Sequence, residues 1–493
     1  MASETFDVVI IGAGLSGIGA ACHLKKNLPN KRYIILESRD AMGGTWDLFR
    51  YPGVRSDSDM HTLGYAFKPW TQKKSIAEGS DILEYIREAS SDFDVDSNIR
   101  YGQTVTEASW DSTAARWTLT LTSADGSENS MQCQFVYSCT GYYRYDAGYL
   151  PDYPGSDRYK GLLVHPQHWP SDLDVTGKRV VVIGSGATAI TLVPSLAKTA
   201  REVTMLQRSP TYIISSSAID SVAEMLRSWL PPNLAYQLTR WKNWATHSLL
   251  YSISRRYPDF MKRKLLHWVR LQTNSEVDLA KHFTPKYNPW DQRLCLAPNG
   301  DFFRALRKRQ ATLVTDHIRS FSETGIQLES GEHLEADVVV SATGLQMLAL
   351  GGIRFSVDGQ STPIPETLGY RGMMLSGLPN MAVALGYTNA SWTLKCDLTS
   401  EHVCRLLSYM DRHNFTHCIA INHHKDMKTS PLLDFSSGYI SRSIDEFPKQ
   451  GDRAPWRLRQ NYLFDTLSFR FSRLKDSALA FYSATSRDKA LHK

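Results

Sequence analysis

The sequence predicts an α/β fold with two Rossmann-like dinucleotide-binding domains, the second inserted in the first and carrying a helical subdomain. Three observations predict it. A strand–glycine turn–helix signature opens the chain at 6–19, and a second copy starts at Arg179. Two strands end in a small residue followed by Thr-Gly, at 139–141 and 342–344. The 493 residues are enough for two or three domains with full cores.

In the first signature Val8–Ile11 runs into Gly12-x-Gly14-x-x-Gly17, and a helical run follows to Leu28. Gly12 permits the tight turn, Gly14 lets a pyrophosphate approach the backbone, and Gly17 lets helix and strand pack closely. Unpaired N–H groups at the helix start face the phosphates. The next strand, Tyr33–Leu36, ends in Glu37, twenty residues after Gly17. An acid there accepts the ribose hydroxyls of an adenosine.

Gly43-Gly44-Thr45-Trp46 follows, then Tyr51-Pro52-Gly53 and Asp57. Paired glycines before a Trp suggest backbone passing close to a flat ligand, and Pro-Gly marks a turn. Asp57 sits on a loop, and read alone it is a turn-forming surface residue. Residues 81–93 read as a helix. Residues 104–139 alternate in strand fashion around a turn at Asp125-Gly126, and the last strand ends in Cys139-Thr140-Gly141. Residues 142–177 are rich in Pro, Gly and Tyr and read as a linker. Within it lies Tyr159-x-Gly161-x-x-x-His165-x-x-x-Trp169-Pro170, where His165 alone reads as a structural histidine.

The second signature is Arg179–Ile183, then Gly184-x-Gly186-x-x-Ala189, a helix to about Lys198 and a strand 202–206. Arg208 and Ser209 now stand where the first copy has its acid. An acid suits free ribose hydroxyls; an arginine suits a 2′-phosphate. The first site therefore reads as FAD or NAD and the second as NADP, which together describe a flavoprotein with two dinucleotides. Residues 231–272 hold eight Lys/Arg, one acid and seven aromatics, with Trp241, Trp244, Ser248 and Tyr251 on one helical face. Such a stripe is either core or a peripheral membrane contact. Residues 283–304 form a Pro- and Asn-containing loop that carries Gln292 and Arg293, and the strand 336–341 ends in Ala342-Thr343-Gly344. That second Thr-Gly end suggests return to the first domain near 335. The expected domains are 1–145, 146–334 with a helical insertion at about 215–280, and 335–493.

The net charge of +6 is mild for this length, and no basic tract or reader motif suggests nucleic acid. Seven cysteines without a C-x-x-C pair argue against a zinc ribbon, a thioredoxin-like pair and a disulfide reductase. With no signal-peptide pattern in MASETFDVV and no apolar run long enough to span a bilayer, the expectation is a cytoplasmic protein, with membrane association through 231–272 as the variant.

These motifs together resemble the Baeyer–Villiger monooxygenases, a class B flavoprotein monooxygenase family. The family fingerprint F-x-G-x-x-x-H-x-x-x-W-P/D is met from Tyr159 to Pro170, with Tyr for Phe. A second signature, G-G-x-W-x4-F/Y-P-G/M-x3-D, is met in full from Gly43 to Asp57. The stretches HPQHWP, LQRSPTYI, NPWDQRLC and GYTNASWTLK look like the ethionamide-activating branch. The likeness is weakest at 215–285 and 415–450. The resemblance implies FAD reduced by NADPH, a C4a-peroxyflavin formed with O2, and conversion of ketones to esters or lactones, with oxidation of sulfides or thioamides besides. It implies Arg293 as the cation that stabilises the anionic species and Asp57 as the acid that orients it. The residues expected at FAD are Gly12, Gly14, Gly17, Glu37, Gly44, Thr45, Trp46, Asp57 and Val105. Those expected at NADP are Gly184, Gly186, Ala187, Thr188, Arg208, Ser209 and Gln292. Many relatives carry Lys before the catalytic Arg; Gln292 here implies weaker NADPH binding or looser discrimination against NADH. Gly161, His165 and Trp169 are the fingerprint residues; His165, on the interdomain linker, is expected to serve domain motion, and Trp456 to sit on a loop over the nicotinamide. No metal site is expected. The alternatives are an N- or S-oxygenating flavin monooxygenase and a non-catalytic, redox-sensing flavoprotein.

Overall fold

Val8, Val9 and Ile10 have no exposed surface. A strand apolar on both faces belongs inside a parallel sheet, and that is where the first residues lie. The structure is a computed structural model that describes residues 4–275, 277–432 and 438–483. β1 (Glu4–Ile11) pairs in parallel with β2 (Tyr33–Leu36) on one side and β6 (Glu128–Ser138) on the other. β3 (Ile99–Arg100) extends the parallel part beyond β2. The alternation at 104–139 becomes the antiparallel strands β4 (Gln103–Asp111), β5 (Arg116–Ser123) and β6, with the expected turn at Gly126. Arg354–Val357 pairs with β4 and Met381–Val383 with β6, so the later chain completes this nine-stranded sheet.

The chain leaves the first sheet through β7 (Tyr143–Gly148) and enters a second, five-stranded parallel sheet at β8 (Leu162–Val164). Its order is Thr312–Thr315, β10 (Glu202–Gln207), β9 (Arg179–Ile183), Val338–Ser341, β8. Val338–Ser341 lies beyond the expected return at 335, yet it pairs with β9 and β8. The Thr-Gly end that follows serves the second sheet as Cys139-Thr140-Gly141 serves the first. The chain re-enters the first sheet only at Arg354–Val357.

The two linkers run side by side: β7 pairs antiparallel with Leu345–Met347. His165 fastens them. Its Nε2 donates to the Gly344 carbonyl at 3.0 Å, while Nδ1 accepts the Gln167 N–H at 3.2 Å. A Cβ on Gly148 would fall inside the His165 ring. Trp169 packs against the second core, and the Leu162 N–H beside Gly161 donates to the Asp337 carbonyl at 3.1 Å.

The helical insertion comprises Ser221–Trp229, Pro232–Arg256 and Pro258–Gln272. Its aromatic stripe faces inward: Trp241 and Trp244 stack around Tyr462, 5.4 and 5.6 Å away. Although the insertion lies within the second domain in sequence, its long helix is latched to the first. Arg240, 2% exposed, donates to the carbonyls of His61, Thr62 and Gly64 at 2.9, 3.3 and 2.6 Å and to Asp397 at 3.1 Å. These carbonyls end the short helix Met60–Leu63, whose last carbonyls have no partner within the helix. Asp397 also accepts the Ala66 N–H at 2.7 Å.

Removing one member of a buried pair strands the other charge at about 3–5 kcal/mol. Arg240→Met should therefore lower the unfolding free energy by about that much in urea titration, and Asp397→Asn added to it should restore part of the loss. A second expectation concerns pH. Burial pushes the His165 imidazole below its ordinary value, so the folded state prefers it neutral. Its contribution is full above the unfolded pKa and is lost as pH falls. The stability difference between wild type and His165→Asn should shrink as pH falls below about 6.5.

Candidate active site

Both glycine turns lie at the carboxyl ends of their sheets, where ligands of open α/β sheets bind. Gly12 has φ +102°, and a Cβ there would lie 2.7 Å from the Cys139 carbonyl oxygen. Gly184 repeats this at φ +135°, where a Cβ would strike the Ala342 carbonyl. Each turn therefore needs both a glycine and a small-residue strand end beside it. The helix after each turn, Leu15–Asn27 and Ala187–Leu196, starts with no side-chain cap and no acid in its first turn. Two uncapped N-termini with a positive dipole end are suited to phosphates.

The two helix starts open on one cavity of about 1060 Å³. Single small-molecule pockets span roughly 300–1,000 Å³, so this one has room for extended ligands. Gly12, Gly14, Glu37, Gly44, Thr45, Trp46, Asp57 and Val105 line it from the first domain. Gly184, Gly186, Ala187, Thr188, Arg208, Ser209, Gln292 and Arg293 line it from the second. Gly17 is not in the wall; a Cβ there would collide with the Gly12 carbonyl, so it serves packing. Gly161, His165 and Trp169 are also outside it.

Glu37 is held for its task at the end of β2. One carboxylate oxygen accepts the Ala13 N–H at 2.7 Å and the other the Arg39 N–H at 3.0 Å. A carboxylate has about four acceptor positions, which leaves capacity for ribose hydroxyls. At the matching place in the second domain Arg208 and Ser209 are exposed to the cavity. Asp316 also lines this end; its N–H donates to the Gln207 carbonyl at 3.1 Å, so an acid stands one strand away from Arg208.

The 43–57 signature is a bridge between the domains. At one end a Cβ on Gly44 would lie 3.0 Å from the Cα of Gly14. At the other, the Tyr51 hydroxyl is hydrogen-bonded to Thr188, and burial pushes it up to about 12. Gly53 packs so tightly on the helix Ala187–Leu196 that a side chain would strike Ser195. Arg55 is ion-paired with Asp301 of the second domain. Asp57 ends the bridge and meets Arg293, with Nε to Oδ2 at 2.8 Å. The pair is 40% and 43% exposed, and so open an ion pair is worth about 0–1 kcal/mol. Its effect is to orient the guanidinium.

Sequence reasoning missed the tyrosines. Tyr142, Tyr143, Tyr145, Tyr149 and Tyr153 all line the cavity from the segment read as linker. Their density beside a strand end was the available signal. Tyr142 is half-buried and packs on Trp392, with ring centroids 5.1 Å apart, and lies within electrostatic reach of Arg293 and Asp57. Trp456 does not line the cavity: it is 1% exposed and packs on Tyr370 at 5.8 Å, because its segment closes the core of the first domain. Among the described residues no group of three or more His, Cys, Asp or Glu is placed to hold a metal ion. No helix among them is long and apolar enough to cross a membrane.

Comparison with known proteins fits this arrangement. Residues 6–226 match the FMO-like family, described as flavin-binding monooxygenase-like. The chain is 51% identical over 480 residues to the FAD-containing monooxygenase EthA of Mycobacterium tuberculosis, covering 97% of this chain and 98% of that protein. Among solved structures it is similar to OTEMO in complex with FAD and NADP, with TM-score 0.68, 25% identity and coverage of 85% and 88%. The fold also matches an oxidised steroid monooxygenase bound to NADP, with TM-score 0.78, 21% identity and coverage of 97% and 100%. Two facing dinucleotide turns, a bridging signature loop and these likenesses give one conclusion: the chain belongs to the FMO-like flavin-binding monooxygenase family.

Proposed function

We propose that this enzyme is an NADPH- and O2-dependent Baeyer–Villiger monooxygenase that binds FAD at the first turn and NADPH at the second. It converts ketones to esters or lactones and oxidises sulfides and thioamides. The observation that carries this reading is the ion pair of Arg293 with Asp57, contributed by different domains to a wall shared by both turns. FAD, when bound, supplies the hydride acceptance and oxygen activation that no side chain provides.

The protein's part is binding, orientation and electrostatics. The first turn and Glu37 hold the pyrophosphate and ribose of FAD. Arg208 and Ser209 hold the 2′-phosphate of NADPH, and Thr188 and Ala187 present the helix N-terminus to its pyrophosphate. The guanidinium of Arg293 faces the negative charge that develops on the substrate carbonyl oxygen as it is attacked. A pre-oriented cation stabilises such charge without reorganising, an effect that becomes large once bound ligands exclude water. Asp57 holds the guanidinium through Nε and so orients it at the cavity wall. Tyr142 and Trp392 form an apolar wall that limits water. Gln292 offers a neutral amide where a lysine would add charge, and Asp316 adds an opposing acid nearby, so coenzyme choice rests on Arg208.

Arg293→Ala should lower ester formation by about 10²–10³-fold while anaerobic bleaching of the flavin by NADPH persists. Asp57→Asn should give a smaller loss in the same step. Unchanged ester yield in Arg293→Ala would remove the assignment. Gln292→Lys adds a charge-assisted bond worth about 1.5–3 kcal/mol and should lower KM for NADPH on the order of tenfold with little effect on NADH. Arg208→Ala should have the reverse selectivity in steady-state kinetics with the two coenzymes.

A further inference from the structure

The helix Tyr462–Phe471 is apolar on both sides: Tyr462 and Phe469 are buried, and a second apolar row faces outward. Its inner side carries Asp465, which is 6% exposed and ion-paired at 2.7 Å to Lys395, itself 1% exposed. Its outer side carries Leu463, Leu467 and Phe471, 46%, 54% and 76% exposed. These positions are four apart and form one stripe. Tyr462 of this helix packs on Trp241 and Trp244, and the helix that bears them adds exposed Leu234 and Leu238, again four apart. Single exposed apolar residues need no explanation, but aligned ones mark a contact surface.

Beside the stripe lies a groove of about 980 Å³. Lys26, Arg405, Arg412, Arg470, Arg473 and Lys475 line it, and Glu401, paired with Arg470 at 2.8 Å, is the one acid in its wall among the described residues. Gln237, the residue before Leu238, lines it as well, which makes the groove and the apolar face neighbours. None of these residues lines the dinucleotide cavity.

We propose that this face docks on an anionic phospholipid bilayer. Leu463, Leu467 and Phe471 enter the boundary between headgroups and acyl chains, and the groove cations meet lipid phosphates. Apolar burial beside a basic cluster is the physical pattern of an interfacial helix. A second copy of this chain fits less well, since a two-fold contact sets the same surface against itself and brings like charges together. The docking face differs from the tryptophan stripe that the sequence suggested: Trp241 and Trp244 face inward, and the stretch 231–272 contributes Leu234 and Leu238.

The test is co-sedimentation of the FAD-loaded protein with phosphatidylcholine vesicles, with and without phosphatidylglycerol. The protein should sediment with the phosphatidylglycerol vesicles, stay in solution with phosphatidylcholine alone, and be released as salt rises. Leu467→Glu with Phe471→Glu should weaken partitioning by about tenfold or more. Arg473→Glu with Lys475→Glu should weaken it on the order of tenfold. Flavin content and turnover of a soluble substrate should match wild type in both variants. Absence of vesicle binding, equal binding by wild type and the Leu467/Phe471 variant, or binding without regard to lipid charge would overturn the proposal. So would a dimer in sedimentation velocity that the Leu467/Phe471 variant abolishes, because the face would then belong to a second copy.

Discussion

The structure depends on two places where backbone must pass over backbone with no side chain between. At Gly12 the turn lies under the Cys139 carbonyl, and at Gly184 the same turn lies under that of Ala342. In each case the helix that follows is left without a cap. A phosphate is the natural partner of such an end, so the constraint that shapes each turn also opens its ligand site. Because the sheets present both turns to one cavity, the ligands of the two domains are brought face to face. Everything else in the site, from the 43–57 bridge to the loop bearing Arg293, spans the gap between them.

The joint between the domains includes small, specific contacts. The paired linkers, His165 on Gly344, Tyr51 on Thr188 and Arg55 on Asp301 each hold one point. Interfaces built this way allow relative domain movement. The helical insertion is an exception, because Arg240 and Asp397 are buried and paired with each other. Any movement of the second sheet must therefore leave the long helix Pro232–Arg256 with the first domain.

The two turns, the strands around them and the antiparallel hairpins were legible in the sequence because local spacing encodes them: glycines at fixed offsets and period-two alternation at 104–139. The position of Glu37 and Arg208 was legible for the same reason. The place where the chain returns to the first domain was not. Val338–Ser341 is a short, uniformly buried strand, and nothing local says which of two similar sheets it joins. The fate of the aromatic stripe was equally hidden, since Trp241 and Trp244 find Tyr462 more than two hundred residues away. The signature at 43–57 could be recognised, but its physical reason, contact with the second domain's helix through Gly53 and Tyr51, appears only in three dimensions. The five cavity-lining tyrosines were visible as composition and not as a wall.

The proposed role of the cation held by Asp57 at the cavity wall is to serve transfer of one oxygen atom from O2 to a bound carbonyl compound. The most direct measurement is turnover of a ketone with NADPH under ¹⁸O2, followed by mass spectrometry of the product. One ¹⁸O atom in the ester per NADPH consumed is the predicted result. NADPH oxidation that yields only labelled hydrogen peroxide, with the ketone recovered unchanged, would contradict it.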